Sequence, residues 1–146
     1  MKHIHIVNGP NLNLVGIRQP EIYGHESMEE GLKKLFTQYS DIQFHYFQNN
    51  SEGALIDYLH KYGFEKETGF VLNAGGYTHT SVALADAVSS INNPVVEVHL
   101  SNPAAREPFR HHSFLAPVVL GSIAGFGMDS YRLGVEAILR IGDGDG

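Results

Sequence analysis

FVLNAGGYTHTSVALADAVSSINNPVVEVHL, residues 70–100, is the stretch whose reading decides the architecture. Phe70–Asn73 is a short apolar run broken by Ala-Gly-Gly. A Ser/Ala/Val-rich segment from about Thr80 to Ile91 has the composition and length of a helix. Asn-Asn-Pro ends it, and Val95–Leu100 is β-branched again. Strand, helix and strand in succession require a right-handed crossover and a parallel pair with both faces covered.

The alternation continues in both directions. Upstream, Lys2–Val7 puts Ile4 and Ile6 on one face and stops at Asn8-Gly9-Pro10, and a long loop runs from Asn8 to His25. Ser27, with Glu30 three residues on, has the pattern of a capping box. Met28, Leu32, Leu35, Phe36 and Tyr39 then recur at helical spacing. Ile42–Phe47 reads as the second strand, and Leu55, Ile56 and Leu59 mark a helix that Gly63 ends. Downstream, Val118–Leu120 reads as the fifth strand. Tyr131, Val135, Ile138 and Leu139 line a closing helix, and residues 143–146 read as a frayed tail. Five such units in 146 residues fit one α/β domain over residues 1–142, because a closed barrel needs about 250 residues. The expected fold is flavodoxin-like: a five-stranded parallel sheet of order 2-1-3-4-5 with helices on both faces.

Composition narrows the function. Ten Lys and Arg against sixteen Asp and Glu give a net charge of −6, the wrong sign for a surface that neutralises phosphates, so no nucleic-acid partner is expected. The absence of Cys removes disulfides, thiolate nucleophiles and zinc–thiolate sites together. No apolar run approaches the ~20 residues of a membrane span, and MKHIHIVNGPN has no secretory pattern, so a cytoplasmic protein without a membrane partner is expected. Charged residues make up 18% of the chain and Gly numbers 16, which suits a loop-dependent, oligomeric fold.

In open α/β sheets, ligands bind beyond the carboxyl ends of the strands, at the point where the strand order reverses. Three strands end there in polar groups: Asn8-Gly9-Pro10-Asn11, Asn73-Ala-Gly-Gly, and Glu97-Val-His99-Leu100-Ser101-Asn102. Glu97 and His99 share a strand face. They fit either a satisfied structural contact or a carboxylate orienting an imidazole that serves as acid or base, and the adjacent Ser101 and Asn102 favour the second. His3 and His5, and the adjacent His111 and His112, raise a metal reading, but surface and helix-packing roles account for His3 and His5 and no metal site is expected. Neither a P-loop nor a dinucleotide fingerprint is present. None of the five lysines ends a strand, which leaves imine chemistry without a nucleophile. Arg18, Arg106 and Arg110 fall in loops after strands one and four, suited to an anionic small molecule.

GPNLNLVG (9–16), RQPEIYG (18–24), NAGGYTHTSVALADA (73–87), EVHLSN (97–102) and REPFRHHS (106–113) together resemble the type II 3-dehydroquinate dehydratases, the metal-free, non-imine dehydroquinases of the shikimate pathway. The resemblance spans strand one to strand five and implies a flavodoxin-like domain assembled as a homododecamer, a tetramer of trimers. It also implies dehydration of 3-dehydroquinate to 3-dehydroshikimate without a cofactor. Residue by residue, it matches Tyr23 to the proton acceptor, Arg18 to the cation that activates it, and Asn11 to the residue that helps place the tyrosine and an ordered water. It matches His99 to the general acid and Glu97 to its orienting partner. Asn73, His79, Ser101, the backbone at Leu100, and Arg110 match substrate contacts, Arg106 a lid-side arginine, and Asp86 a residue reaching a neighbouring subunit's site. Val15, Ala104, Pro108 and His111 depart from the family's usual residues and bear on loop stiffness.

The residue types suit the reaction. Tyrosine, with a reference pKa near 10, needs a fixed positive charge to act as a base at neutral pH, and Arg18 lies five residues away on the same loop. The segment Arg18–Gly24, bounded by Gly16 and Gly24, is expected to close as a lid. The competing reading is a non-catalytic flavodoxin-like module that binds FMN or a small anion.

Overall fold

The computed structural model describes residues 1–17, 21 and 25–141. Arg18, Tyr23, the expected Arg18–Gly24 lid and the 143–146 tail therefore lie outside the described residues, apart from Glu21. Five strands, β1 (His3–Asn8), β2 (Gln43–Gln48), β3 (Thr68–Asn73), β4 (Val95–His99) and β5 (Gly121–Ala124), form one parallel sheet in the order β2-β1-β3-β4-β5. Four helices, α1 (Met28–Phe36), α2 (Glu52–Tyr62), α3 (Val82–Ser90) and α4 (Asp129–Arg140), connect and close them among the described residues. The strand order is the one expected.

Period-2 alternation along the strands sorts the core into two layers. Ile4, Ile6, Val71, Val96 and Val98 pack against Met28, Leu32 and Leu35 of α1 and Tyr131, Val135 and Ile138 of α4. On the other face, Val7, Phe70, Leu72 and Val95 pack against Leu55 and Leu59 of α2 and Leu84, Ala85 and Val88 of α3. β3, buried along its whole length, is the continuous apolar strand that a two-sided parallel sheet demands. Serines start three of the helices: Ser27, Ser51 and Ser81 accept the backbone N–H groups of Glu30 (3.1 Å), Ala54 (3.4 Å) and Leu84 (2.9 Å).

One expectation needs correction. Val118–Leu120 is not the fifth strand. The N–H groups of Val118 and Val119 turn back onto the Leu115 carbonyl at 2.9 and 3.1 Å, and only Leu120, bonded to the Val95 carbonyl at 2.9 Å, enters the ladder. The strand is Gly121–Ala124, in which only Ile123 has strong β propensity; pairing with β4 decides it. Gly63 does end α2, but not through a left-handed cap, since its φ is −69°. It is glycine because a Cβ there would meet Ile91 Cγ2 at 2.3 Å, a close approach of α2 to the end of α3.

Candidate active site

The carboxyl ends of β1, β3 and β4 surround a cavity of ≈ 140 Å³. Asn8 and Asn73 end β1 and β3 in register. The loops beyond them touch so closely that a Cβ on Gly9 would sit 2.3 Å from the Ala74 carbonyl oxygen, which keeps the two strand ends together. Asn11, next along, has a left-handed backbone (φ 70°), a conformation Asn tolerates better than most residues. Its N–H is held by the Asn50 side chain at 3.1 Å. Asn11, Asn73, His79, His99, Leu100, Ser101, Arg106 and Arg110 all line the cavity.

Glu97 and His99 form a pair on one face of β4, Oε2 to Nε2 at 3.2 Å. Glu97 is 1% exposed, so its charge must be compensated locally. Ser122, its register partner on β5, donates to Oε1 at 2.6 Å, and Ser113 donates to Oε2 at 2.7 Å. The Ser113 oxygen already accepts the N–H groups of Leu115 (3.1 Å) and Ala116 (3.0 Å), so its single proton is directed at the carboxylate. Burial pushes the Glu97 carboxyl up, but the bonds from His99 and Ser122, the charge of His99 and the bond from Ser113 outweigh it and hold the group below its usual range. An ionised Glu97 fixes a proton on His99 Nε2 and leaves Nδ1 as the nitrogen open to exchange with a ligand.

His79 stands beside His99, with ring centroids 6.4 Å apart and planes 19° from parallel. Its Nδ1 donates to the His112 carbonyl at 2.8 Å. The two loop arginines frame the rim. Arg106 reaches the Ser101 hydroxyl at 3.4 Å, and Arg110 bonds Glu107 at 3.1 Å. Two guanidiniums against the Glu107 carboxylate favour an anion at the cavity mouth. Three of the departures, Ala104, Pro108 and His111, fall in this loop. Pro103–Ala105 and Pro108–Arg110 are two short 3₁₀ turns, and His111 Nε2 donates to the Arg106 carbonyl at 3.0 Å, tying them together.

The structure thus brings nine expected residues together: eight line the cavity and Glu97 stands behind His99. Asp86 is not among them; it is exposed on α3, away from the cavity of its own chain. Tyr23 and Arg18 lie outside the described residues. Residues given no site role from sequence are Ser113 and Ser122, which hold Glu97, and Tyr131, placed only in the closing helix; its hydroxyl bonds the strand-end Asn8 at 2.7 Å behind Asn73. Ser113 closes the REPFRHHS block, the one signal that pointed to it. Among the described residues no three His, Asp or Glu side chains converge as a metal site.

Residues 2–139 match the model of the class II dehydroquinases. The chain belongs to that family. It is 50% identical over 146 residues to the 3-dehydroquinate dehydratase of Carboxydothermus hydrogenoformans, covering 97% of this chain and 94% of the relative. It is 49% identical over 141 residues to that of Trichodesmium erythraeum, covering 94% and 93%. The crystal structure of the type II dehydroquinase from Butyrivibrio crossotus superposes with a TM-score of 0.90 at 38% identity, covering 94% of this chain and 97% of that one. Family membership makes the chain a hydro-lyase of the type II class and selects the enzyme over the non-catalytic binding module.

Proposed function

We propose that this chain converts 3-dehydroquinate to 3-dehydroshikimate and water through an enolate, with Tyr23 as base and His99 as acid. The observation that carries the acid half is the buried Glu97 carboxylate, held by two serine hydroxyls and bonded to His99 Nε2. Glu97 stabilises the imidazolium and fixes which nitrogen faces it, so that the other can deliver a proton.

In the first step the Tyr23 phenolate takes the proton from the carbon beside the substrate's carbonyl. The C–H electron pair moves into the enolate. Arg18, which keeps its charge at every working pH, lowers the tyrosine's pKa, and Asn11 helps to place the tyrosine and a water near the enolate oxygen. In the second step the enolate collapses, the C–C double bond forms, and the C–O bond to the β-hydroxyl breaks as His99 supplies the proton that makes the leaving group water. Asn73, His79, Ser101 and the Leu100 backbone hold the substrate's hydroxyls and carboxylate, with Arg110 and Arg106 at the rim. None of these steps calls on a metal or cofactor.

The same reading gives the enzyme a cytoplasmic location, a homododecameric assembly of four trimers, and an Asp86 that reaches a neighbouring subunit's cavity. Exposure of Asp86 on α3 suits such a contact. No helix among the described residues is long and apolar enough to cross a membrane. Adding 3-dehydroquinate to the purified protein and following enone absorbance tests the reaction. Steady appearance of the enone is expected, and its absence with well-folded protein overturns the proposal.

A further inference from the structure

Behind the cavity, a row of side chains joins the ends of β1 and β3, and Tyr46 within β2, to α4. The Gly75 N–H donates to Asn73 Oδ1 at 3.2 Å, and Asn73 Nδ2 donates to the Tyr131 hydroxyl oxygen at 3.0 Å. Tyr131 donates in turn to Asn8 Oδ1 at 2.7 Å, and Asn8 Nδ2 to the Tyr46 hydroxyl at 3.3 Å. Every bond runs in the same sense, an arrangement in which each polarises the next. Tyr131 is 0% exposed, and burial pushes its pKa well above the ordinary tyrosine value. Its proton is therefore present at every working pH.

We propose that Tyr131 is a positioning residue for the dehydration, its hydroxyl anchoring Nδ2 of the Asn73 amide, whose sense the Gly75 N–H sets. This rests on the reading that Asn73 contacts substrate. The sense of the row is set by Gly75, because a backbone N–H can only donate. Asn73 must answer it with Oδ1, which turns Nδ2 toward Tyr131. The tyrosine oxygen can accept that bond because its own proton is committed to Asn8. A flipped Asn73 amide would set two donors against each other at Gly75 and could bond Tyr131 only by drawing its proton away from Asn8, so the buried row would lose at least one bond. Asn73, 3% exposed, therefore meets a ligand with one Nδ2–H and one Oδ1 lone pair in a fixed arrangement. A phenylalanine at 131 keeps the ring in the core cluster with Ile6, Val71 and Val135 but leaves the Asn73 amide held by the Gly75 N–H alone.

The test is a double-mutant cycle on the whole enzyme with Tyr131→Phe, Asn73→Ala and the pair, reading kcat, KM and melting temperature. Misplacement of a contact group by an ångström costs up to about 10²-fold. Tyr131→Phe is expected to lower kcat/KM roughly ten-fold, on the scale that such misplacement sets. It should change the same kinetic parameter as Asn73→Ala and add less than about twofold once Asn73 is gone, as residues acting through one another do. Asn8→Ala, which frees the Tyr131 proton, should give a smaller loss with the same dependence on Asn73, and it carries the test if Tyr131→Phe does not fold. Equal losses in both backgrounds, or no loss with the fold intact, overturn the proposal. An Asn73→Ala enzyme with wild-type kcat/KM overturns the substrate contact instead, and the role of Tyr131 with it.

Discussion

Two imidazoles on one sheet, one half-buried and one buried, face opposite electrostatic surroundings. His99, at the carboxyl end of β4, has Glu97 at 3.2 Å, and that carboxylate is held by two hydroxyls. His5, in the middle of β1, is 1% exposed and has no carboxylate against it among the described residues. It bonds the Tyr58 hydroxyl at 2.6 Å and stacks on His45 and Phe70, with Tyr62 tilted against it. Burial, with His45 and His3 beside it, lowers the His5 pKa from 6.5 to about 4. The contrast separates two settings: one imidazole stands against a carboxylate at a strand end, the other is a neutral packing group. The expectation that His5 serves helix packing holds, since its ring lies between β3 and the tyrosines of α2.

The sharpest way to break the contrast is to make His99 resemble His5. Glu97→Gln removes the charge that supports the imidazolium while keeping the shape. It is expected to lower kcat by about 10²-fold or more, the scale of general acid catalysis, with little change in KM. Steady-state kinetics across pH checks it. Loss of one supporting hydroxyl should do less. Ser122→Ala and Ser113→Ala each remove a bond that holds the Glu97 carboxyl down. Its pKa should rise and the acid limb of the kcat profile should move to higher pH, with kcat near neutral pH falling only several-fold. Ser113→Ala also strips the acceptor of Leu115 and Ala116, so it should cost more stability than Ser122→Ala.

The smallest effect belongs to the other imidazole, and it is on stability alone. A His whose folded pKa lies below its unfolded value costs nothing above pH 6.5. As pH falls from 6.5 toward 4, the unfolded chain binds a proton that the folded chain refuses, so stability drops by up to about 1.4 kcal/mol per pH unit. His45, lowered mainly by burial, acts in the same direction. His5→Phe should therefore flatten the fall in urea stability between pH 7 and pH 5 by on the order of 1 kcal/mol and leave kcat unchanged at neutral pH. An unchanged slope would mean that His5 is not the group that titrates.

Much of this was legible from residues alone, for identifiable reasons. Period-2 and period-3.6 patterning report which face is buried, so the layers followed, and the count of strand–helix units in so short a chain gave the strand order. Polar residues at strand ends marked the cavity because that end of a parallel sheet is where loops converge. What escaped were partners distant in sequence. Ser122 was hidden because Val118–Leu120 has the stronger β propensity and drew the strand boundary three residues early. Helical spacing placed Tyr131 in the core but says nothing of what its hydroxyl meets. Alternation put His5 opposite Ile4 and Ile6, yet its neutrality depends on His45 and Tyr58, which only the folded chain brings to it.

The central claim is that proton removal and water loss are carried by different groups, Tyr23 and His99. Deuterium incorporation from solvent into 3-dehydroquinate, measured beside enone formation, separates them. In His99→Ala the account predicts that carbon-proton exchange persists while enone formation stalls, and in Tyr23→Phe that both stop. If His99→Ala loses exchange and dehydration in equal proportion, or if Tyr23→Phe still exchanges at near the wild-type rate, the division of labour is wrong.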